Sequence, residues 1–226
     1  MKNILVAVAH PDDEVLGMGG TIARLAAEGC DIHLLIVTDG SSSQYKNVPE
    51  LQKIIEKKKA ETALSAEILG IKTVDYGELP DMKLDCTPHT EVNGVIKNAI
   101  DKYSPDAIFT HFWGDVNIDH RCVYESVIVA ARPVPGQEIK EIYCFRVPSS
   151  TEWMPNKTST MFMPNIYVDI SKYEDKKLKA MAAYETEIRD FPHPRSVSYL
   201  KKTDEATGLS VGMEAAEPFV LLRKII

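Results

Sequence analysis

The chain of 226 residues is 44% hydrophobic and 26% charged, with a formal net charge of -7. It can bury a sizeable core and is most simply a single domain over residues 1–226. The acidic balance argues against nucleic acid as the main partner. The amino-terminal apolar run of six residues is too short for a secretory signal or a membrane span, so we expect a cytoplasmic protein without membrane insertion. Such a chain is also compatible with a homo-oligomer.

The amino-terminal stretch MKNILVAVAHPDDEVLGMGG joins a predicted strand to a predicted helix. The apolar run 4–9 is continuous rather than alternating, which is typical of a strand buried on both faces. His10 ends this strand, because Pro11 disfavours an α conformation for the residue before it. Acidic residues follow at once, at the start of the helix. An imidazole and several carboxylates therefore meet at one strand tip.

Two interpretations compete for this tip. In the first, Asp12 or Asp13 caps the helix and the other acids offset its dipole, which needs no histidine. In the second, His10 and Asp13 bind a metal through nitrogen and oxygen, and Asp12 stays free beside it as a base. The carboxyl end of a parallel strand is where open α/β sheets build their sites, which favours the second interpretation.

The first half of the chain alternates predicted strands and helices. The polar loop 38–43, after the second strand, reaches the same sheet edge as His10 and is a candidate substrate wall, with Asp39 as its acidic residue. The predicted helices are Glu14–Glu28, Leu51–Leu69 and Thr90–Tyr103, and the predicted strands are Ile32–Val37, a short one near Val74, and Ala107–Thr110.

The stretch DAIFTHFWGDVNIDHRCVYESVIVAAR carries a second polar cluster after a short apolar strand. Two histidines and two aspartates collect there, at the same edge as the first cluster, and helix caps alone do not explain that coincidence. A helix is predicted to follow and to run to about Arg132. The polar residues beyond the strand are His111, Asp115, Asn117, Asp119 and His120.

AHPDDE after a buried amino-terminal strand, a Gly-Met-Gly-Gly helix start and a later Asp-His-Arg resemble the LmbE-like or PIG-L family of zinc-dependent N-acetylglucosamine deacetylases. The resemblance covers most of the first 130 residues. It implies His10, Asp13 and His120 as ligands of one divalent ion, with Asp12 as the base. Zn²⁺ is the family's metal, although this donor set also accepts Fe²⁺ or Co²⁺. Asp119 or a backbone carbonyl would hold the other ring nitrogen of His120.

The fold expected from these patterns and from the resemblance is a three-layer α/β/α, Rossmann-like domain with a mainly parallel sheet. The reaction implied is hydrolysis of the N-acetyl group of an amino sugar, which could be free, nucleotide-linked or lipid-linked. Asp81 lies in a loop that resembles a substrate-side loop of the family. The chain lacks the GxGxxG motif, so a nucleotide cofactor is not indicated despite the type of sheet.

The chain departs from the family pattern at two positions. Many relatives have a histidine where this chain has Asn117, and an amide can donate a hydrogen bond to an oxyanion but cannot act as a general acid near neutral pH. Relatives usually have an arginine where this chain has Lys58, and a lysine cannot form a bidentate clamp. Because Asn117 cannot act as a general acid, the proton for the departing amine must come from another group.

The carboxyl-terminal part, residues 149–226, is expected to be more variable and to complete the site. Two prolines stiffen a loop that presents His193 and Arg195. This loop is either a turn with a surface arginine, or a place where Arg195 clamps a phosphate or sugar hydroxyl and His193 supplies the missing proton. Of the two proton donors we favour Asp12, with His193 and Arg195 binding substrate.

The same part contains further predicted elements and one open question. Trp153, in the predicted loop 149–165, is either a packing residue or a sugar-stacking one, and the loop either covers the site or contacts another subunit. The predicted strands are Tyr143–Val147, Ile166–Ile170 and Phe219–Arg223, and the predicted helix is Lys172–Arg189.

Two other functions compete with the deacetylase. A non-catalytic metal-binding or sugar-binding protein would explain Asn117, but it has no need of an unliganded Asp12 beside the metal. A different metal-dependent hydrolase, such as a phosphoesterase, would usually hold two metals with more carboxylate ligands.

Overall fold

The computed structural model describes residues 1–43 and 50–226. The strands are β1 Asn3–Val8, β2 Asp31–Thr38, β3 Thr73–Leu79, β4 Ala107–His111, β5 Glu141–Phe145, β6 Ile166–Asp169 and β7 Ala216–Lys224. The helices are α1 Asp13–Ala27, α2 Leu51–Leu69, α3 His89–Tyr103, α4 Ile118–Ala130, α5 Glu174–Ala182 and α6 Val197–Leu209.

The described strands form one seven-stranded sheet in the order β3-β2-β1-β4-β5-β7-β6. The first five strands of this order are parallel, and β7 runs antiparallel to both β5 and β6. After β1 the chain builds outward to one side through β2, and it later returns to the other side through β4. The carboxyl ends of β1 and β4 therefore flank the switch point at which open α/β sheets bind ligands.

Helices cover both faces of this sheet, as the predicted three-layer fold requires. Alternate residues of β1 enter different cores, with Ile4, Val6 and Val8 in one and Leu5 and Ala7 in the other. The first core is closed by α1, α2, α5 and α6, and the second by α3 and α4. This two-sided burial explains why the strand sequence is continuously apolar.

Helix α1 is interrupted at Met18, whose backbone angles are φ -154° and ψ 24°. Just after the interruption, the carboxylate of Glu217 in β7 accepts the backbone N–H groups of Gly20 and Thr21 at 3.0 and 2.7 Å. Lys177 of α5 lies 2.8 Å from the same carboxylate. A buried carboxylate thus ties the amino-terminal helix to β7 and α5.

The predicted helix Lys172–Arg189 is wrong in its extent, because α5 begins at Glu174 and ends at Ala182. Turns follow, in which Tyr184 and Glu187 are buried against the site. Contacts with distant residues decide the path there, whereas the sequence shows only helical periodicity. No helix within the described part of the chain is both long and apolar enough to cross a membrane.

Candidate active site

A polar cavity of about 100 Å³ opens where β1 and β4 end, beside the first residues of α1 and α4. His10, Asp12 and Asp13 contribute one side of its lining, and His120 contributes from α4. Helix α2, the loop after β5 and the turns after α5 supply the opposite wall, with Lys58, Ser149, Glu187 and Arg195.

Among the described residues, two groups of side chains could each hold a metal ion: His10, Asp13 and His120, and, around the other ring nitrogen of His10, His10, Asp81 and Asp119. The first group combines the two histidines. Nδ1 of His10 lies 3.3 Å from Nε2 of His120 and 3.4 Å from Oδ2 of Asp13. Nε2 of His120 is 3.4 Å from Oδ1 of Asp13. Two imidazole nitrogens and a carboxylate that face one another form a donor set typical of zinc sites with an open coordination position.

In both His10 and His120, the ring nitrogen that faces away from the other two candidate ligands lies beside a carboxylate. Nδ1 of His120 lies 3.2 Å from Oδ2 of Asp115, and Nε2 of His10 lies 3.2 Å from Oδ2 of Asp119. Asp81 is also near Nε2 of His10, at 3.4 Å. The expected partner of His120 was Asp119 or a backbone carbonyl; the structure gives that position to Asp115, and Asp119 serves His10. Such carboxylates fix the tautomer and orientation of ligating imidazoles.

Backbone and hydroxyl donors hold these two outer carboxylates in turn. Asp119 accepts hydrogen bonds from the N–H groups of Met82 and Leu84 at 2.7 and 3.0 Å. Asp115 accepts one from the hydroxyl of Thr151 at 2.6 Å and another from that of Ser150. Burial alone would raise the pKa of Asp115, but His120 and these donors lower it to about 2.

His111, at the end of β4, packs against the candidate ligand His120. Its ring stacks on that of His120 with centroids 4.0 Å apart, and its Nε2 accepts the N–H of Ala9 at 2.8 Å. Burial and the neighbouring His120 hold its pKa well below the usual range. His111 is therefore a neutral packing partner that fixes the end of β1 and the plane of the His120 ring.

Asp12 occupies the N-cap position of α1 with φ 92°, but its side chain makes no capping hydrogen bond. Among the described residues its buried Oδ2 has no hydrogen-bond partner, and the nearest cation, Nη1 of Arg195, is 3.6 Å away. Burial raises the pKa of Asp12 well above its usual range, although Arg195 opposes the shift. By contrast, Asp13 accepts the backbone N–H of His10 at 2.8 Å. Asp12 is thus a free carboxylate beside the candidate ligands.

Glu187 links the two cations of the opposite wall. One of its oxygens lies 2.7 Å from Nζ of Lys58, and the other accepts a hydrogen bond from Arg195. Lys58 also donates to the carbonyl of Gly40, and Nε of Arg195 donates to the hydroxyl of Ser149 at 3.0 Å. Lys58 is therefore a buried cavity residue. Each cation keeps an N–H group that these hydrogen bonds do not use.

The remaining residues named from the sequence fall into two groups. Asn117 and Asp81 line the cavity. Asn117 caps α4 by accepting the N–H of Asp119 at 2.9 Å, which leaves its NH₂ group as a donor. Asp39 and His193 do not line the cavity. Asp39 accepts the N–H groups of two serines in its own loop, and Nδ1 of His193 accepts the N–H of Arg195 at 3.1 Å.

Sequence reasoning missed Glu187 and the cavity serines Ser149 and Ser150. Glu187 lay inside a predicted helix, and nothing in its neighbourhood marks it as different from the exposed Glu185. The serines lay in a stretch interpreted only as a loop. Their positions depend on which distant elements meet in the fold.

Comparisons with known proteins identify several that this chain resembles. A diacetylchitobiose deacetylase from Thermococcus kodakarensis is 28% identical over 83% of this chain and 71% of its own length. The conserved protein TT1542 from Thermus thermophilus superimposes with a TM-score of 0.78 and 26% identity over 100% of this chain and 97% of that one. Another structure, the 4-carboxy-2-hydroxymuconate hydratase GalB from Pseudomonas putida KT2440, has a TM-score of 0.78 and 21% identity over 100% and 98% of the two chains.

The hydratase likeness shows the fold alone, and that fold therefore does not decide the reaction. Family membership rests on the sequence match, since residues 5–131 match the family described as PIG-L: GlcNAc-PI de-N-acetylase. This segment contains both polar clusters and the strands that carry them. The chain belongs to the PIG-L family.

Proposed function

We propose that the protein hydrolyses the N-acetyl group of an N-acetyl amino sugar and uses one divalent ion, Zn²⁺, held by His10, Asp13 and His120. The observation that carries this proposal is the unpartnered carboxylate of Asp12 beside that donor set. A protein that only binds metal or sugar has no use for a buried, unsatisfied carboxylate, which is costly to maintain. The relatives named as deacetylases support the substrate class.

When bound, the ion would polarise the substrate carbonyl and the attacking water. Asp12 accepts the proton of that water and returns it to the departing amine. This single shuttle does not need a histidine at position 117. The NH₂ group of Asn117 contacts Sδ of Met82 at 3.6 Å, and its second N–H can donate a hydrogen bond to the carbonyl oxygen as negative charge develops there.

The opposite wall would hold the sugar. The unused N–H groups of Lys58 and Arg195 are donors that match the hydroxyl oxygens of a pyranose ring. Because Glu187 is shared between them, the two cations stay in fixed positions. Asp81, which also lines the cavity, offers an acceptor for a sugar hydroxyl.

Acetate release from a panel of free and nucleotide-linked N-acetyl sugars tests the reaction directly. We expect one equivalent of zinc per chain and acetate from at least one sugar. The His120→Ala variant should lose the metal while keeping its circular dichroism spectrum, because His120 lies in the first turn of α4, beside the polar cavity and outside the two hydrophobic cores. Zinc-loaded protein that releases no acetate from any member of the panel would contradict the proposal, and a full equivalent of metal in His120→Ala would exclude His120 as a ligand.

A further inference from the structure

Trp153 lies one short helical turn away from the cavity wall. It ends the 3₁₀ turn Thr151–Trp153, and its backbone N–H donates to the carbonyl of Ser150 at 3.1 Å. The hydroxyls of Ser150 and Thr151 donate to Asp115, which contacts His120. The backbone that carries the indole is therefore anchored to the candidate metal site.

The indole of Trp153 is 56% exposed although its backbone is fixed. Its one aromatic contact within the described part of the chain is with His193, whose ring lies perpendicular to it at 6.5 Å. The other tryptophan, Trp113, packs against Phe112 and Tyr124 and donates its indole N–H to the carbonyl of Ser159. Packing explains Trp113, but it does not explain Trp153.

Successive neighbours lead from the cavity to Trp153. Ser149 lines the cavity and accepts a hydrogen bond from Nε of Arg195. The backbone N–H of Arg195 donates to His193, and the His193 ring lies edge-on to the Trp153 ring, with centroids 6.5 Å apart. The residues of this series are polar or charged at the cavity and aromatic at the exposed end. A sugar ring has polar edges and an apolar C–H face, and an exposed aromatic ring is a flat surface that suits such a face.

We infer that Trp153 and His193 form an outer subsite, which binds the second sugar ring of a substrate whose N-acetylated ring occupies the cavity. This inference rests on the proposed function and names its substrate class: a di- or oligosaccharide. Trp153 acts there on affinity and not on the reacting atoms. Ser149 and Arg195 connect the two subsites.

The kinetic test compares N,N'-diacetylchitobiose with N-acetylglucosamine on the zinc-loaded protein. Trp153→Ala should raise KM about tenfold for the disaccharide, as is common when a tryptophan contact is truncated, and should leave kcat and the monosaccharide KM unchanged. Trp153→Phe should recover most of the affinity because it keeps an aromatic face. Leu209→Ala, at another exposed apolar residue, is the matched control. Equal changes for both sugars, or none, would overturn the inference.

A binding test does not depend on turnover. The chain has two tryptophans, so the fluorescence difference between wild type and Trp153→Phe reports Trp153. Chitobiose should quench this signal at lower concentration than glucosamine, and equal quenching by both would reject the subsite. Sedimentation of wild type and Trp153→Ala tests whether Trp153 is instead a contact between subunits. Loss of an oligomer in the variant would show such a contact and would overturn the inference. A wild type that binds chitobiose this way but releases no acetate would contradict only the proposed reaction.

Discussion

Asp115 holds His120 by its outer nitrogen, with 3.2 Å between Oδ2 of the carboxylate and Nδ1 of the imidazole. Both side chains are almost completely buried. The contact leaves Nε2 of His120 directed at Asp13 and His10. The carboxylate thus decides which nitrogen of His120 is available to a metal, and it also carries the hydroxyl contacts of Ser150 and Thr151 from the 149–153 segment.

Asp115→Asn should weaken zinc binding by about 10–100-fold, because an amide neither accepts the imidazole N–H as strongly nor raises the basicity of the ligand. The affinity is measured by competition with a chromophoric chelator. Asp101→Asn, at an exposed ion pair far from the site, controls for the loss of one negative charge. Unchanged zinc affinity in Asp115→Asn would show that His120 does not depend on this carboxylate.

Asp12 and Asp13 should separate chemistry from metal binding. Asp12→Asn should keep its zinc and lose about 10²–10⁴-fold in kcat, as expected when a general base is removed. Asp13→Asn should lose zinc, because its carboxylate faces both histidines. Metal analysis after dialysis and acetate release are measured on the same preparations. If both variants lose metal equally, Asp12 is not the free carboxylate described here.

Glu187→Gln should destabilise the fold by about 3–5 kcal/mol, because it removes the shared carboxylate of Lys58 and Arg195. The Lys58 and Glu187 side chains are only 4% and 7% exposed, so the variant leaves a largely buried ammonium without its carboxylate. Glu185→Gln is the control, since that side chain is 74% exposed and pairs with the surface Lys57. Urea unfolding gives both values. A Glu187→Gln variant as stable as Glu185→Gln would show that the shared carboxylate does not stabilise this wall.

Glu14 should make stability fall as pH rises. Burial raises the pKa of Glu14 from 4.5 to about 7, so between these values the folded protein keeps a proton that the unfolded chain releases. Its contribution is complete below pH 4.5 and is lost as the pH rises through about 7, up to about 3 kcal/mol. Glu14→Gln stays neutral and still accepts the hydroxyl of Tyr184, so it should flatten this slope. Unfolding at pH 5 and pH 8 with chelator present measures it, and Glu28→Gln, on the exposed end of α1, should keep the wild-type slope.

His193→Ala should reduce affinity without changing the shape of the pH–rate profile. His193 lies outside the cavity lining and accepts the backbone N–H of Arg195. We expect a fall in kcat/KM of no more than about tenfold, through a looser Arg195. If the high-pH decline disappears and kcat drops by ~10² or more, His193 is the general acid, and the Asp12 shuttle is wrong.

Local patterns were sufficient where a residue acts within its own element. The continuous apolar strands, the polar clusters after β1 and β4, and the glycine ends of helices could all be predicted, and Gly29 and Gly70 have the left-handed φ of 85° and 82° that such helix ends need. The three-layer fold followed from the alternation of strands and helices.

Sequence reasoning failed where a side chain is buried by a partner far away in the chain. Tyr184 lies in a stretch with helical spacing, but α5 ends before it and its hydroxyl donates to Glu14, 170 residues earlier. Glu187 likewise pairs with a residue far away in the chain, Lys58, and its position in a stretch with helical spacing gave no sign of this ion pair. The helix α6 was not predicted, and its low apolar periodicity gave little signal. Long-range polar contacts leave no local pattern to detect.

The carboxylate of Glu217 closes the backbone of α1 across a separation of 197 residues. During synthesis the AHPDDE segment leaves the ribosome long before β7, and until then the second half of α1 lacks its acceptor and β6 lacks the strand with which it pairs. The second half of α1, which packs behind the candidate site, is therefore completed late, after a contact that closes a very long loop. A lesion in β7 would be expected to act on the site at the opposite end of the sequence, as a folding defect with the appearance of an active-site mutation.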